Sequence, residues 1–248
     1  MEQYLQDWYK ANVKWAGSDK TNKSDRRGYA PEIIINHISE GTAQSCINWF
    51  NSSNNTESSA HFLVARDGEV YQFVNIEDNA WANGLSTANI SKAKANIVKQ
   101  KGVNPNWYSV SIEHEGVYAQ TRGALTAEQL ESTIMLHRYI SSYVKDKYGK
   151  EIPFDRQHIL GHCEIDPINR PNCPGEKFPF DYIVVELNRN KTFKLTWKEI
   201  IKKVTSAPEE WENAITVAVN AAKADGNLGA LEQFKYLPEL IEKIYNSK

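Results

Sequence analysis

A histidine and a cysteine stand eleven positions apart in the stretch Gly161-His162-Cys163-Glu164-Ile165-Asp166-Pro167-Ile168-Asn169-Arg170-Pro171-Asn172-Cys173-Pro174-Gly175. Prolines at 167, 171 and 174 interrupt helix and strand, so the segment is expected to be a shaped loop. An imidazole and a thiolate offered from such a loop suit zinc, which takes nitrogen and sulfur ligands in tetrahedral geometry. A third protein ligand would leave one coordination position open, as in a catalytic site. The best candidate is His37, at the end of the apolar run Ile33-Ile34-Ile35-Asn36-His37. His162 also ends a short apolar run, and ligands of α/β proteins gather where strand ends meet loops.

The other candidates are less decided. From Ser109 to Glu115 the chain alternates, with Val110, Ile112 and His114 on one face and Ser111, Glu113 and Glu115 on the other. Glu113 is open between a solvated strand carboxylate and a general base beside a metal-activated water. His61 opens a hairpin and is open between a structural role and a substrate contact. His114 and His137 share apolar faces and read as packed residues, and His158 reads as structural. Cys46 reads as a small buried side chain. Cys163 follows His162 directly, so it points away and is not expected to be a ligand. Three cysteines are too few for a disulfide framework, which leaves Cys173 reduced and available to a metal.

The elements that must position these groups can be read along the chain. Residues 1–30 are polar and aromatic and are expected to wrap the surface. Residues 32–37 are apolar on both faces, as in a buried central strand. Thr42 to Phe50 reads as a helix with Cys46, Ile47 and Phe50 inward. Asp67-Gly68, between His61–Arg66 and Glu69–Val74, is a strong hairpin signal. Residues 75–107 read as a long connection. Thr126-Ala127-Glu128-Gln129 is a capping-box start for a helix that Gly149 stops. A short strand at Gln157–Gly161 and a helix at Pro179–Leu187 follow. The uneven alternation with a hairpin argues for an α/β fold, a central mixed β-sheet flanked by helices.

The texture changes after Asn188. The reading is two parts: a zinc-dependent catalytic domain over 1–190 and a small α-helical C-terminal appendage over 191–248. The formal net charge is −2, and no Lys/Arg run resembles a nucleic-acid patch, so no nucleic-acid partner is expected. No window of about 18 apolar residues exists, so no membrane insertion is expected. The acidic N-terminus lacks an apolar h-region, so the chain is expected to be made in the cytoplasm without a signal peptide.

Five stretches together resemble the type 2 N-acetylmuramoyl-L-alanine amidases, a zinc family that also holds phage lysozyme-amidases and peptidoglycan recognition proteins. They are Ile34-Ile35-Asn36-His37; Ser59 to Val70; Ala80-Trp81-Ala82-Asn83-Gly84; Tyr108 to Gly116; and Gly161-His162 through Cys173-Pro174-Gly175. They occur in the family's order over residues 30–187, about three fifths of the chain. The resemblance implies a mixed sheet with helices on both sides and a groove holding one Zn2+. By position, His37, His162 and Cys173 match the ligands and Glu113 the catalytic glutamate. Trp81 and Asn83 fall on the groove wall, where substrate is expected, with His61 as a further contact. Two positions depart from the family pattern. Ala60 stands where many members have tyrosine, and Arg170 is the nearest cation where many have lysine, so Arg170 is expected to steady the oxyanion.

The resemblance thus implies a zinc amidase cutting the bond between N-acetylmuramic acid and L-alanine in bacterial peptidoglycan. A lytic endolysin or autolysin, reaching the wall by holin-type release or lysis, is the leading form. The alternatives are a cytosolic peptidoglycan-recycling amidase, a non-catalytic peptidoglycan-binding protein and a zinc peptidase acting within the stem peptide.

Overall fold

The structure, a computed structural model, describes residues 1–189; the expected appendage over 191–248 lies outside them. Met1–Arg189 form one compact unit. The N-terminal part consists of α1 (Gln3–Asn12), β1 (Val13–Trp15), β2 (Lys23–Asp25), β3 (Ile33–Ile38) and α2 (Ala43–Phe50). Next come β4 (Phe62–Val64), β5 (Val70–Gln72), β6 (Asp78–Ala80), α3 (Thr87–Ile90), α4 (Asn96–Lys101) and β7 (Ser109–His114). The described chain closes with α5 (Tyr118–Thr121), α6 (Ala127–Tyr148), β8 (Ile159–Gly161), α7 (His162–Ile165) and α8 (Phe180–Asn188).

Six strands form one sheet in the order β1-β5-β4-β7-β3-β8. Only the β4–β5 hairpin is antiparallel, so the sheet is mixed, as the alternation of elements predicts. A second, two-stranded antiparallel ladder joins β2 to β6. β3 and β7 are neighbouring interior strands, and every residue of β3 is buried, which accounts for its continuous apolar run.

Alternation along these strands separates two layers. Ile34 of β3 and Val110 and Ile112 of β7 pack with Leu136, Ile140 and Val144 of α6 and with Leu5 of α1. On the opposite face, Ile33 and Ile35 pack with Val98 of α4, Tyr108 and Leu160. Leu63 of β4 packs there with Cys46 and Phe50 of α2. The helix expected at Thr42 begins as read, its N-cap hydroxyl accepting from the Ser45 amide at 3.2 Å. The α6 capping box is also formed, with Thr126 and Gln129 bonded reciprocally and Gly149 left-handed at the far end.

Three expectations need correction. Residues 1–30 do not merely wrap the surface: Leu5 enters the core, β1 extends the main sheet and β2 builds the small one. The stretch 75–107 holds β6, α3 and α4 rather than one irregular connection. The proline-broken loop does contain a helical turn, α7, because His162–Ile165 precedes its first proline.

Candidate metal centre

Two strand ends and one loop build the centre. β3 carries His37 to the end of the buried sheet, and β8 delivers His162 as the first residue of α7. The turn at His162 is fixed by Glu164, whose carboxylate accepts from the Gly161 amide at 2.8 Å and from Arg156 at 2.7 Å. The loop then folds back so that the Cys163 amide donates to the Cys173 carbonyl at 2.7 Å. Asp166 stiffens the return by accepting from the Asn169 amide at 3.1 Å.

One donor atom each from His37, His162 and Cys173 lies within 4.8 Å of the others. Cys173 Sγ is 3.8 Å from His37 Nδ1, and the two imidazole rings meet edge to face with centroids 4.5 Å apart. Ligands of one tetrahedral zinc are about 3.5 Å from each other, so the donor set fits such an ion with small adjustments. Two nitrogens and one sulfur are also the donor types that zinc prefers. Cys163 is not in the group, in keeping with its adjacency to His162.

Electrostatics favour neutral imidazoles here. Burial, reinforced by His162 and His114, holds the His37 pKa well below its ordinary value. Burial and then Arg170 lower that of His162 to about 4. Burial raises the Cys173 thiol pKa, and nearby Glu113 raises it further. The Ile38 amide points at the same sulfur at 3.4 Å and would support its thiolate.

Glu113 stands beside this cluster because β3 and β7 are parallel neighbours and His37 and Glu113 are register partners. Its Oε2 is buried without a protein partner. Burial raises its pKa to about 8; Arg170 opposes the rise and Glu40 adds to it. A solvated strand carboxylate is therefore not what the fold provides.

A groove of about 1340 Å³ runs over the cluster, lined by His37, Glu113, His162, Arg170 and Cys173, with Trp81 on its wall. Trp81 is pinned through its indole nitrogen to Ser24 Oγ at 3.1 Å. Arg170 is exposed on the groove rim. Trp49 and Trp107 also line the groove, and neither was singled out from sequence. Trp107 is held by Arg27 over its ring at 4.8 Å, a contact with no short-range sequence signature.

His61 and Asn83 do not reach the groove. His61 is fully buried; its Nδ1 accepts from the Ser111 amide at 3.0 Å, its Nε2 faces the Asp78 carbonyl at 3.1 Å, and Arg26 lies against it. The expected substrate contact at His61 is corrected to a structural role. Asn83 is fully buried as well, its amide bonded to Ser109 and Ser111, so it too is no groove-wall contact. His114 and His137 are packed as read, one between the His37 carbonyl and Thr133, the other on the Thr133 carbonyl.

The Amidase_2 family, N-acetylmuramoyl-L-alanine amidase, matches residues 27–176, a span that holds His37, Trp81, Glu113, His162, Arg170 and Cys173. The chain belongs to this amidase family. Among curated amidases, it is 29% identical over 123 residues to the 1,6-anhydro-N-acetylmuramyl-L-alanine amidase AmpD of Haemophilus influenzae, covering 50% of this chain and 55% of that one. To the AmpD of Salmonella typhimurium it is 30% identical over 120 residues, covering 48% and 52%. The chain thus spans about half the length of the curated relatives it matches. A crystal structure of a selenomethionine AmpD derivative shares the fold, with a TM-score of 0.51 at 22% identity, over 70% of this chain and 94% of that one. Among the described residues, no helix is long and apolar enough to cross a membrane.

Proposed function

We propose that the chain is a zinc-dependent N-acetylmuramoyl-L-alanine amidase that hydrolyses the amide between N-acetylmuramic acid and the L-alanine of the stem peptide in bacterial peptidoglycan. One observation carries this reading: two imidazoles and a thiol converge within 4.8 Å beside Glu113, whose Oε2 is buried without a protein partner. His37, His162 and Cys173 would hold the zinc. When bound, that ion supplies Lewis acidity toward a carbonyl oxygen and makes water acidic at neutral pH.

The chain's own groups do the rest. Glu113 accepts a proton from the attacking water and returns it to the departing amine, a role suited to a pKa near the working pH. Its carboxylate is aimed by the sheet register rather than by a flexible loop. Arg170 on the rim offers positive charge where the amide oxygen becomes negative. Trp81 gives the groove wall an aromatic surface for a sugar or peptide face.

Two substrate forms suit this chemistry. A lytic enzyme would act on the polymeric wall after holin-type release or lysis, with 191–248 adding wall affinity. A recycling enzyme would act on soluble anhydro-muropeptides, the form that the names of the AmpD relatives support. The deciding experiment is mass spectrometry of products from purified peptidoglycan and from an anhydro-muropeptide, with and without chelator. Stem peptides beginning in L-alanine, lost on chelation, establish the amidase, and the preferred substrate separates the two forms. New termini inside the stem would instead mean a peptidase. Wall binding without any cleavage would mean a receptor.

A further inference from the structure

We propose that Arg27, stacked on Trp107, is a specificity-determining residue that receives a free carboxylate of the stem peptide in the groove. The proposal deepens the amidase reading above and rests on it.

The pair stands at the end of a short run in which each residue holds something in place. Ser24 Oγ accepts from the Trp81 indole nitrogen at 3.1 Å. Asp25 Oδ1 accepts from the Arg27 main-chain amide at 2.7 Å. Arg26 is buried, and its guanidinium donates to the carbonyls of Ile76 at 2.7 Å, Trp107 at 3.0 Å and Ser109 at 2.9 Å. Arg27 lies over the Trp107 ring at 4.8 Å. Consecutive arginines thus grip one tryptophan, the first by its main chain and the second by its ring. Trp81 and Trp107, both on the groove, are braced by the same four residues.

The backbone at Arg27 carries a cost. The Tyr29 amide donates to the Arg26 carbonyl at 2.9 Å, and the two residues between them, Arg27 and Gly28, have positive φ values of 50° and 84°. That is the pattern of a type I′ turn, whose first central position favours asparagine, aspartate or glycine. An arginine is strained there, and residues held in this way cluster at binding sites.

What the strained position presents is a cation without a counter-ion. Arg27 is exposed and lines the groove. Among the described residues its guanidinium has no carboxylate partner, and Asp25, two residues away, is bonded to its main-chain amide instead. Stacking on an indole uses the face of a guanidinium and leaves N–H groups along its edge, in the plane that pairs with a carboxylate through two parallel bonds. The substrate assigned to this groove carries free carboxylates on its peptide. The groove's other arginine, Arg170, lies on the loop that ends at Cys173 and is assigned to the reacting oxygen. Arg27 is left for a charge that does not react, and a contact of that kind is made equally before and during the reaction, so it acts on KM.

The test compares two substrates of the zinc-loaded full chain: N-acetylmuramoyl-L-alanyl-γ-D-glutamyl-L-lysine, and the same compound with both carboxylates converted to amides. The parental chain should favour the carboxylate form in kcat/KM by about 5- to 20-fold, between the worth of an exposed ion pair and that of a buried charge-assisted bond. The difference should lie mostly in KM. Arg27→Asn should abolish the preference while keeping or raising the thermal midpoint, because asparagine suits the turn. Arg27→Gln removes the charge without that gain and should abolish the preference too. Equal kcat/KM for the two forms in the parental chain overturns the proposal, as does a folded Arg27→Asn or Arg27→Gln chain that keeps the parental preference. Release of an L-alanyl peptide from neither form sinks the amidase reading itself, whereas cleavage of both without discrimination sinks only the role of Arg27.

Discussion

His37 and Glu113 are register partners on adjacent parallel strands, so a proposed metal ligand and a proposed base project from the same face of the sheet, one strand apart. A carboxylate placed this way is held by the β3–β7 ladder, and it does not depend on the metal for its position. Glu113→Gln should therefore keep near-parental zinc content while turnover of a muramyl-peptide falls about 10²- to 10⁴-fold, the usual contribution of a positioned general base. Metal analysis alongside a mass-spectrometric rate decides it. A Gln variant with undiminished turnover would remove Glu113 from the mechanism.

Zinc uptake should release a proton. The two imidazoles are already neutral at neutral pH, because burial lowers His162 to about 4 and His37 well below its usual value. The Cys173 thiol is the protonated ligand, since burial raises its pKa. Binding the ion to the thiolate must then displace that proton, and affinity should rise with pH across the neutral range. Calorimetry in buffers of different ionisation enthalpy should report about one proton released per zinc. Cys173→Ser should abolish this release and weaken binding severely.

The parts legible in the sequence are those whose signal is local. The Asp67-Gly68 turn, the Thr126/Gln129 capping box and the Gly149 stop are each set by a few neighbouring residues, and each forms as read. The three donors were also legible, because an imidazole and a thiol on a proline-broken loop have little other use. What stayed hidden depends on partners far along the chain. Ser111 looks like one residue of a polar row facing solvent, yet Asn83, 28 positions earlier, covers it. His61 gave no local sign that Arg26 and the Ser111 amide would enclose it. α1 presents a single fully buried residue, Leu5, too few to set up a helical periodicity.

Arg170 acts on Glu113 through charge. It lowers a pKa that burial has raised to about 8. The base works ionised, so activity is lost as pH falls through its pKa, which a bound cation would set below the value that burial alone gives. Removing the cation in Arg170→Met should therefore move the acid limb of the kcat/KM profile to higher pH. It should also reduce kcat by up to about 10²-fold if the guanidinium steadies the oxyanion. High salt should shrink the effect on the limb, because Arg170 is exposed. An acid limb that does not move would show that Arg170 is too far from Glu113 to matter.

His114 and His137 make the fold acid-sensitive independently of the metal. Both are buried and neutral, with burial lowering their pKa values to about 3 and about 4. Once unfolded, each takes up a proton below about pH 6.5. The unfolded state thus binds more protons between that value and the folded pKa, and stability must fall as pH drops through this window. The loss approaches about 1.4 kcal/mol per pH unit for each histidine. Urea midpoints of the metal-free chain should decline from pH 6.5 to 4.5, where the buried histidines together outweigh the opposite contribution of Glu113, whose raised pKa makes the folded state the better proton binder.

Gly161 is the last residue of β8, directly before His162 and the segment that leads to Cys173. A Cβ there would lie 2.7 Å from Pro174 Cδ, closer than real Cβ atoms come, and 3.1 Å from Phe180 Cζ, tighter than most. Neither neighbour can yield easily, because Pro174 follows the proposed ligand directly and Phe180 is held under Arg156 at 3.9 Å. Gly161→Ala should therefore push the Cys173 segment away from His37 and His162. Overpacking of this kind costs about 1–3 kcal/mol in stability, but the sharper effect should fall on the metal. The sulfur–nitrogen distance of 3.8 Å is close to what one shared ion needs, so a small displacement should weaken zinc binding more than it lowers the thermal midpoint. A Co2+-loaded variant should show a diminished thiolate charge-transfer band. An unchanged band would mean that the strain is absorbed on the α8 side instead.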